Sequence, residues 1–143
     1  MSSETNKAII RHYVEEVQNK GNLSLLDEIA APSFVNHSSP PGVAPTLDGV
    51  KQLAQQVLAA FPDGTMTIED MVAEGDKVAT RKTFRGTHQG TYLGLPPTGR
   101  RVEVGLIDVV RFEEGKAVEH WLEWDMFGML QQLGALPTPG QMR

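Results

Sequence analysis

The stretch RVEVGLIDVVRFEEGKAVEHWLEW, residues 101–124, decides the fold class. Apolar and polar residues alternate through Arg101–Phe112 and again through Ala117–Trp124, which is the period of a β-strand with one buried face. The residues between them, Glu-Glu-Gly-Lys, are typical of a hairpin turn. We therefore expect two antiparallel strands that lie side by side in a sheet.

Two further strands precede this pair. The segments Met66–Ala73 and Lys77–Arg85 are rich in β-branched residues and flank the turn Glu74-Gly75-Asp76. In the first half of the chain, apolar residues instead recur every three or four positions, which predicts helices. The predicted helices span Asn6–Val17, Leu23–Ala31 and Asp48–Ala60, with a short one at Met126–Leu133 before a tail, LPTPGQMR. Helices followed by strands indicate an α+β domain with an antiparallel, meander-like sheet.

Length and composition narrow the protein class. The chain has 143 residues, which is most simply one domain, residues 1–143. It has no cysteine, so disulfide scaffolds, iron–sulfur sites and thiol nucleophiles are excluded. The net charge of −5 argues against broad binding to nucleic acid or anionic membranes. The sequence shows no signal peptide and no long apolar run, so a cytoplasmic location is expected.

Asp108 interrupts an apolar strand face. By the period of two it shares a side with Val104, Leu106, Val110 and Phe112. A carboxylate there faces either the core or a cavity, and burial would raise its pKa towards the range of a general acid or base. The alternative is a structural Asp, paired with an arginine or hydrogen-bonded by the backbone.

His120 is expected near Asp108. The interior face of the last strand carries Val118, His120, Leu122 and Trp124. Adjacent strands in normal register place His120 on the same side of the sheet as Asp108, where a His–Asp pair could transfer protons near neutral pH. The alternative for His120 is a hydrogen-bonded core histidine without a chemical role. Asp125 ends the strand, so we expect it to cap the following helix.

Loops supply the remaining candidate residues. Gly86–Arg100, GTHQGTYLGLPPTGR, is a 15-residue connection between two strands, whereas hairpin loops usually have ~2–5 residues. His88 lies in it, and Pro96-Pro97-Thr98-Gly99 predicts a rigid turn that sets its path. Asn36 and His37 adjoin a second, proline-rich loop. Loop residues on a rigid scaffold often contact ligands. The histidines are scattered in the sequence, so no metal site is expected.

These motifs resemble those of one family. The order of elements, with FVNH, GTHQGTYLGLPPTGRRVEV, FEEGKAVEHW and WDMFGMLQQLG, is similar to the SnoaL-like polyketide cyclase (ester cyclase) family over nearly the whole chain. The resemblance implies a cone-shaped, curved sheet wrapped around N-terminal helices. This is the cystatin-like superfold that ketosteroid isomerase and nuclear-transport-factor relatives share. It also implies a ligand in the open end of the cone and a homodimer formed through the sheet.

The resemblance also implies a reaction. In cyclases of this family an Asp on the last long strand is the acid/base of an intramolecular aldol closure, without metal or cofactor. That position is Leu122 here. The family's strand histidine corresponds to Asp108, and its pocket asparagine corresponds to Asn36.

Two classes of function follow as hypotheses. The first is an enzyme that acts on a hydrophobic, oxygenated small molecule, with Asp108 as base and His88, His120 or Asn36 polarising the carbonyl. The expected ligand contacts are Asn36, His37, Tyr13, Leu106, Leu122 and Trp124. The second is a binding module without turnover, because a leucine cannot transfer protons. An epoxide-hydrolase-like reaction would need two carboxylates and an arginine, of which Asp108 and Arg81 supply part.

Overall fold

One curved sheet forms the body of the protein, and the computed structural model describes residues 2–136 of it. The strands are β1 (Ala30–Asn36), β2 (Thr65–Glu74), β3 (Lys77–Thr87), β4 (Arg101–Glu113) and β5 (Lys116–Trp124). Their order across the sheet is β1-β5-β4-β3-β2. The neighbours from β2 to β5 are antiparallel, as predicted. The predicted hairpin between β4 and β5 turns on Glu114 and Gly115, whose φ angles are 50° and 76°.

Within residues 2–136, two α-helices precede the sheet, one lies between its first two strands in the chain, and one follows it. They are α1 (Ser3–Tyr13), α2 (Leu26–Ile29), α3 (Leu47–Ala60) and α4 (Met126–Gln132). Side-chain caps begin three of them, because the Oγ of Ser2, the Oγ1 of Thr46 and the carboxylate of Asp125 each accept a backbone N–H. The capping role predicted for Asp125 is therefore confirmed. None of the helices within residues 2–136 is long and apolar enough to cross a membrane.

Strand β1 is one element that the sequence pattern missed. The second predicted helix ends early, as a 3₁₀ turn (Leu23–Leu25) followed by the short α2, and the chain then extends into β1. This strand pairs in parallel with β5, with Asn36 opposite His120. Such pairing joins residues 84 positions apart, and no local period reveals it. Pro32 is tolerated because β1 lies at the sheet edge.

The first predicted helix also changes geometry partway. After α1 the chain continues as a π-helix, Val14–Asn19, which buries Val14 and Val17. A π-helix has a wider turn than an α-helix, so side chains five apart come to one side. Asn19 consequently reaches β2, where its side-chain amide exchanges two hydrogen bonds with the backbone of Met66, at 3.0 and 2.7 Å.

Candidate functional site

A cavity of ≈ 140 Å³ lies between the helices and the concave face of the sheet. Its walls are aliphatic and aromatic, supplied mainly by α3 and by the inward side chains of β3, β4 and β5. The polar residues that line it are Tyr13, Gln18, Asn36, Asp108 and His120. Leu106, Leu122 and Trp124 also line it. The structure thus brings together seven of the nine predicted site residues.

Asp108 has a partner that the sequence analysis did not identify. Its Oδ2 accepts a hydrogen bond from Lys82 Nζ at 2.8 Å, and the two side chains are 4% and 0% exposed. The expected arginine or backbone partner is therefore wrong, and the buried lysine takes its place. A signal for it exists, because Lys82 shares the inward face of β3 with Val78, Thr80 and Phe84.

The charge state of Asp108 differs from the expected one. Burial by itself would raise the pKa of Asp108, but the Lys82 ammonium and the nearby His120 outweigh it and hold that pKa below its usual value. The prediction of a raised pKa is therefore wrong. Asp108 is a carboxylate at neutral pH. A carboxylate with a lowered pKa is a weak base, which makes it poorly suited to removing a proton from carbon.

His120 is positioned through its Nδ1 nitrogen. Its Nδ1 lies 3.1 Å from the Oδ1 of Asn36, which also accepts the backbone N–H of Ser38 at 3.1 Å. Because that amide oxygen can only accept, Nδ1 of His120 carries the hydrogen. In the neutral ring Nε2 then has a free lone pair. This atom lies 3.7 Å from Asp108 Oδ2, so the predicted His–Asp pair forms as an ion pair when Nε2 takes up a proton.

Tyr13 and Gln18 complete the polar cluster through the π-helix. Gln18 Oε1 accepts from Lys82 Nζ at 3.1 Å, and the ring centre of Tyr13 is 5.3 Å from the same nitrogen. The side chains of Tyr13 and Gln18 are also hydrogen-bonded to each other. Burial, with the charge of Asp108, raises the pKa of Tyr13, so its hydroxyl keeps its proton and can donate it in a hydrogen bond.

His88 and His37 lie away from the lining of this cavity, contrary to prediction. His88 is fully buried against the ring of Phe61 and accepts the backbone N–H of Thr98 through Nδ1 at 3.2 Å. His37 stacks on Trp121 at 4.9 Å between ring centres and pairs with Glu119. Each is held by packing and partners outside the cavity, which explains why neither reaches it.

Two other groupings considered from the sequence do not form in the structure. Arg81 points to the opposite face of the sheet from Asp108 and pairs with Asp70 at 3.2 Å, so the two cannot flank one water molecule. Among residues 2–136, no three His, Asp or Glu side chains come together in a group that could hold a metal ion.

The fold and cavity define a class of protein: an α+β cone whose curved sheet and N-terminal helices enclose an apolar site with a few polar groups. The chain belongs to the SnoaL-like polyketide cyclase family, whose model matches residues 8–133. It is 30% identical over 119 residues to the nogalonic acid methyl ester cyclase of Streptomyces nogalater, covering 81% of this chain and 88% of that protein.

Solved structures agree with this assignment. TsrD from Streptomyces laurentii superimposes with a TM-score of 0.86 at 33% identity, covering 95% of this chain and 99% of that one. Wild-type IdmH from Streptomyces antibioticus superimposes with a TM-score of 0.79 at 39% identity, covering 90% and 98%. The fold implied by the sequence motifs is therefore confirmed.

Proposed function

We propose that the protein removes a proton from the carbon beside a carbonyl of a hydrophobic ester or ketone, with His120 as the base and without a cofactor. The observation that carries this proposal is the orientation of His120. Its Nδ1 hydrogen is committed to Asn36, and its Nε2 lone pair is free on the cavity wall beside Asp108. Asp108, which the sequence favoured as the base, serves instead as the fixed anion.

The reaction would be an intramolecular aldol closure. His120 Nε2 takes the α-proton, and the C–H electron pair becomes an enolate. The enolate carbon then attacks a second carbonyl of the same molecule, and the resulting alkoxide regains the proton from the imidazolium. Asp108 stabilises the imidazolium by charge, and the Tyr13 hydroxyl donates to the enolate oxygen.

The charges at the cavity favour a neutral substrate. Lys82 and Asp108 cancel each other, and they are buried where water does not screen them. A substrate carboxylate would enter an apolar site without a free cation, which is costly. An ester or ketone enters uncharged, and its enolate forms only when His120 has become positive. This agrees with the methyl esters in the names of the relatives.

Turnover of such methyl esters tests the proposal. Nogalonic acid methyl ester and aklanonic acid methyl ester would be incubated with the wild type in D₂O, with chromatography for the isomeric product and mass spectrometry for deuterium at the α-carbon. We expect His120→Gln to lower both rates by about 10²–10⁴-fold. The matched control is His12→Gln, since His12 is an exposed histidine on α1. Equal rates in the wild type and His120→Gln would refute the role of His120.

A binding module without turnover is the second candidate function. Leu122, which corresponds to the family's catalytic Asp, lines the cavity and supports it. This candidate predicts stoichiometric uptake of the same esters, seen by calorimetry, with neither product nor deuterium incorporation. Deuterium incorporation that depends on His120 would eliminate it.

We also propose that two copies associate through the outer face of the sheet. Ile107 is half exposed there, and its cross-strand neighbours are Arg81 on β3 and Glu123 on β5. A two-fold axis that passes Ile107 parallel to the strands would place the arginine of one copy opposite the glutamate of the other. Ile107→Glu should therefore shift a dimer to monomer in sedimentation, and Leu93→Glu, at an exposed site in the loop between β3 and β4, should not.

A further inference from the structure

A second, smaller cavity of ≈ 50 Å³ adjoins the first. Side chains of α1, α2, β1, β4 and β5 surround it, and nearly all of them are aliphatic or aromatic. They include Ile9, Ile10, Leu26, Phe34, Phe112 and Ala117. This small cavity has no part in the proton transfer proposed above.

The two cavities share part of their lining. Tyr13, Val50 and His120 border both, so the two spaces meet at the imidazole ring, the phenol ring and the Val50 side chain. A ligand whose reacting carbon lies against His120 Nε2 therefore has a second apolar space within reach of its next substituent. On the shared wall Nδ1 of His120 is held by Asn36, whereas Nε2 and the Tyr13 hydroxyl serve the reacting group of a ligand in the main cavity.

We propose that the small cavity is an alkyl subsite, which takes a chain of two or three carbons attached next to the carbonyl of the ligand in the main cavity. The proposal rests on the proposed function insofar as the main cavity is the ligand site. A cavity of about 150 Å³ holds a benzene ring, so the main cavity suits one ring of a ligand and the small one suits a short chain on it.

The lining of the small cavity also excludes polar substituents. A hydroxyl or carboxylate on the chain would lose its hydration and would meet side chains such as Phe34, Val110 and Phe112. A methylene in the same place gains about fourfold in affinity, which is its transfer free energy of about 0.8 kcal/mol expressed as a binding ratio. The subsite should therefore select substrates by the length of an alkyl branch.

A series of phenyl ketones tests the subsite. Acetophenone, propiophenone, butyrophenone and hexanophenone differ only in alkyl length, and their dissociation constants would be measured by NMR titration of the methyl-labelled protein. For the wild type we expect affinity to rise by about fourfold per methylene up to butyrophenone and to level off or fall at hexanophenone.

Two matched substitutions show which cavity holds the alkyl chain. Ala117 lines the small cavity and Ala54 lines the main one, so each Ala→Val change adds two methyl groups to one cavity alone. In Ala117→Val the gain from acetophenone to butyrophenone should disappear, while acetophenone binds within twofold of the wild type. In Ala54→Val all four ketones should weaken by similar factors and the chain-length dependence should persist.

The outcomes separate this proposal from the proposed function. A wild type that shows no gain with chain length, or an Ala117→Val variant that keeps the gain, would overturn the subsite. A wild type that binds no ketone would overturn the subsite together with the ligand role of the main cavity. A chain-length gain retained in His120→Gln would support the subsite whatever the turnover of that variant shows. Thermal unfolding of both Ala→Val variants checks that the fold is kept.

Discussion

His120 lies on strand β5 and His88 lies in the loop after β3, and the structure uses the two histidines differently. Both were expected at a catalytic site, and both have one ring nitrogen held by a hydrogen bond to a neighbouring segment. His120 binds Asn36 through a donating Nδ1, which leaves an accepting Nε2 on the cavity wall. His88 binds Thr98 through an accepting Nδ1, because the backbone N–H of Thr98 can only donate, and its Nε2 is buried.

The difference shows that the partner of a histidine decides what its other nitrogen can do. A neutral His120 presents a lone pair to a space where a ligand fits. A neutral His88 presents an N–H to packed side chains, with no hydrogen-bond partner among the described residues. His88 instead closes the loop of residues 88–100, since its backbone bonds Arg100 and Gly99 at 2.9 Å each. One histidine is suited to chemistry and the other to holding a loop.

The largest loss of stability is expected from breaking the ion pair between Lys82 and Asp108, which lies beside His120. Lys82→Met leaves Asp108 buried without its cation, which should lower the free energy of unfolding by about 3–5 kcal/mol in urea denaturation. The double variant Lys82→Met, Asp108→Leu should recover most of this loss, because an apolar pair of similar volume needs no charge compensation. Arg81→Met, at an exposed ion pair, is the control and should cost less than about 1 kcal/mol. A single variant as stable as this control would contradict the assigned pairing.

Removing the His88 side chain should lower the free energy of unfolding somewhat less than Lys82→Met does, and it should leave the cavity intact. His88→Ala removes a fully buried ring and the acceptor of Thr98, so we expect a loss of about 2–3 kcal/mol in thermal unfolding. Ketone binding in the main cavity should stay within a few fold of the wild type. If His88→Ala lost ketone binding while its thermal unfolding stayed unchanged, His88 would be part of the ligand site.

The contribution of Asp108 to stability should depend on pH, and this effect is expected to be smaller than those of the substitutions above. The pKa of Asp108 is lowered in the folded protein, so its contribution to stability is complete above the ordinary Asp value of about 3.9. That contribution is lost as the pH falls below this value and through the lowered folded pKa. Urea denaturation from pH 6 to pH 2 measures it as the difference between the wild type and the double variant at positions 82 and 108. A difference that does not change with pH would show that Asp108 has its ordinary pKa.

The smallest effect is expected at the partner of His88. Thr98→Val keeps the backbone N–H that binds Nδ1 but removes the hydroxyl 3.0 Å from it. We expect a loss of about 1–2 kcal/mol in urea denaturation, because the hydroxyl contacts Nδ1 and also accepts the backbone N–H of Arg100 at 3.2 Å, and both bonds are removed. Thr91→Val, at an exposed threonine of the same loop, should change stability by less than about 0.5 kcal/mol. Equal losses at the two positions would mean that the hydroxyl of Thr98 does not secure the loop.

Much of the fold could be predicted because its signals are local. The alternation through β4 and β5 and the three-to-four spacing in α3 place those elements within a residue or two of the structure. Strand β1 and the π-helix could not be predicted in this way. The first depends on pairing with a strand far along the chain, and the second accompanies contacts between Asn19 and Met66, which are 47 positions apart.

The candidate site could likewise be predicted only where local signals specify it. The period of two put Asp108 and His120 on one face of the sheet, and the structure confirms that placement. The same period also placed Lys82 inward, but sequence alone could not show that its ammonium meets Asp108. Asn36 and the π-helix residue Gln18 approach the cluster from other elements, so their contacts depend on the packing of the whole domain.

By itself the sequence determined the α+β class, the family and the strand face that carries the polar residues, since these depend on local periods and motifs. Only the tertiary structure decided which histidine faces the cavity and that Asp108 is a paired carboxylate. It also decided that a second cavity lies beyond His120. Hydrogen-bond direction, charge pairing and cavity shape arise from atoms that distant segments bring together, so no single stretch of the chain contains them.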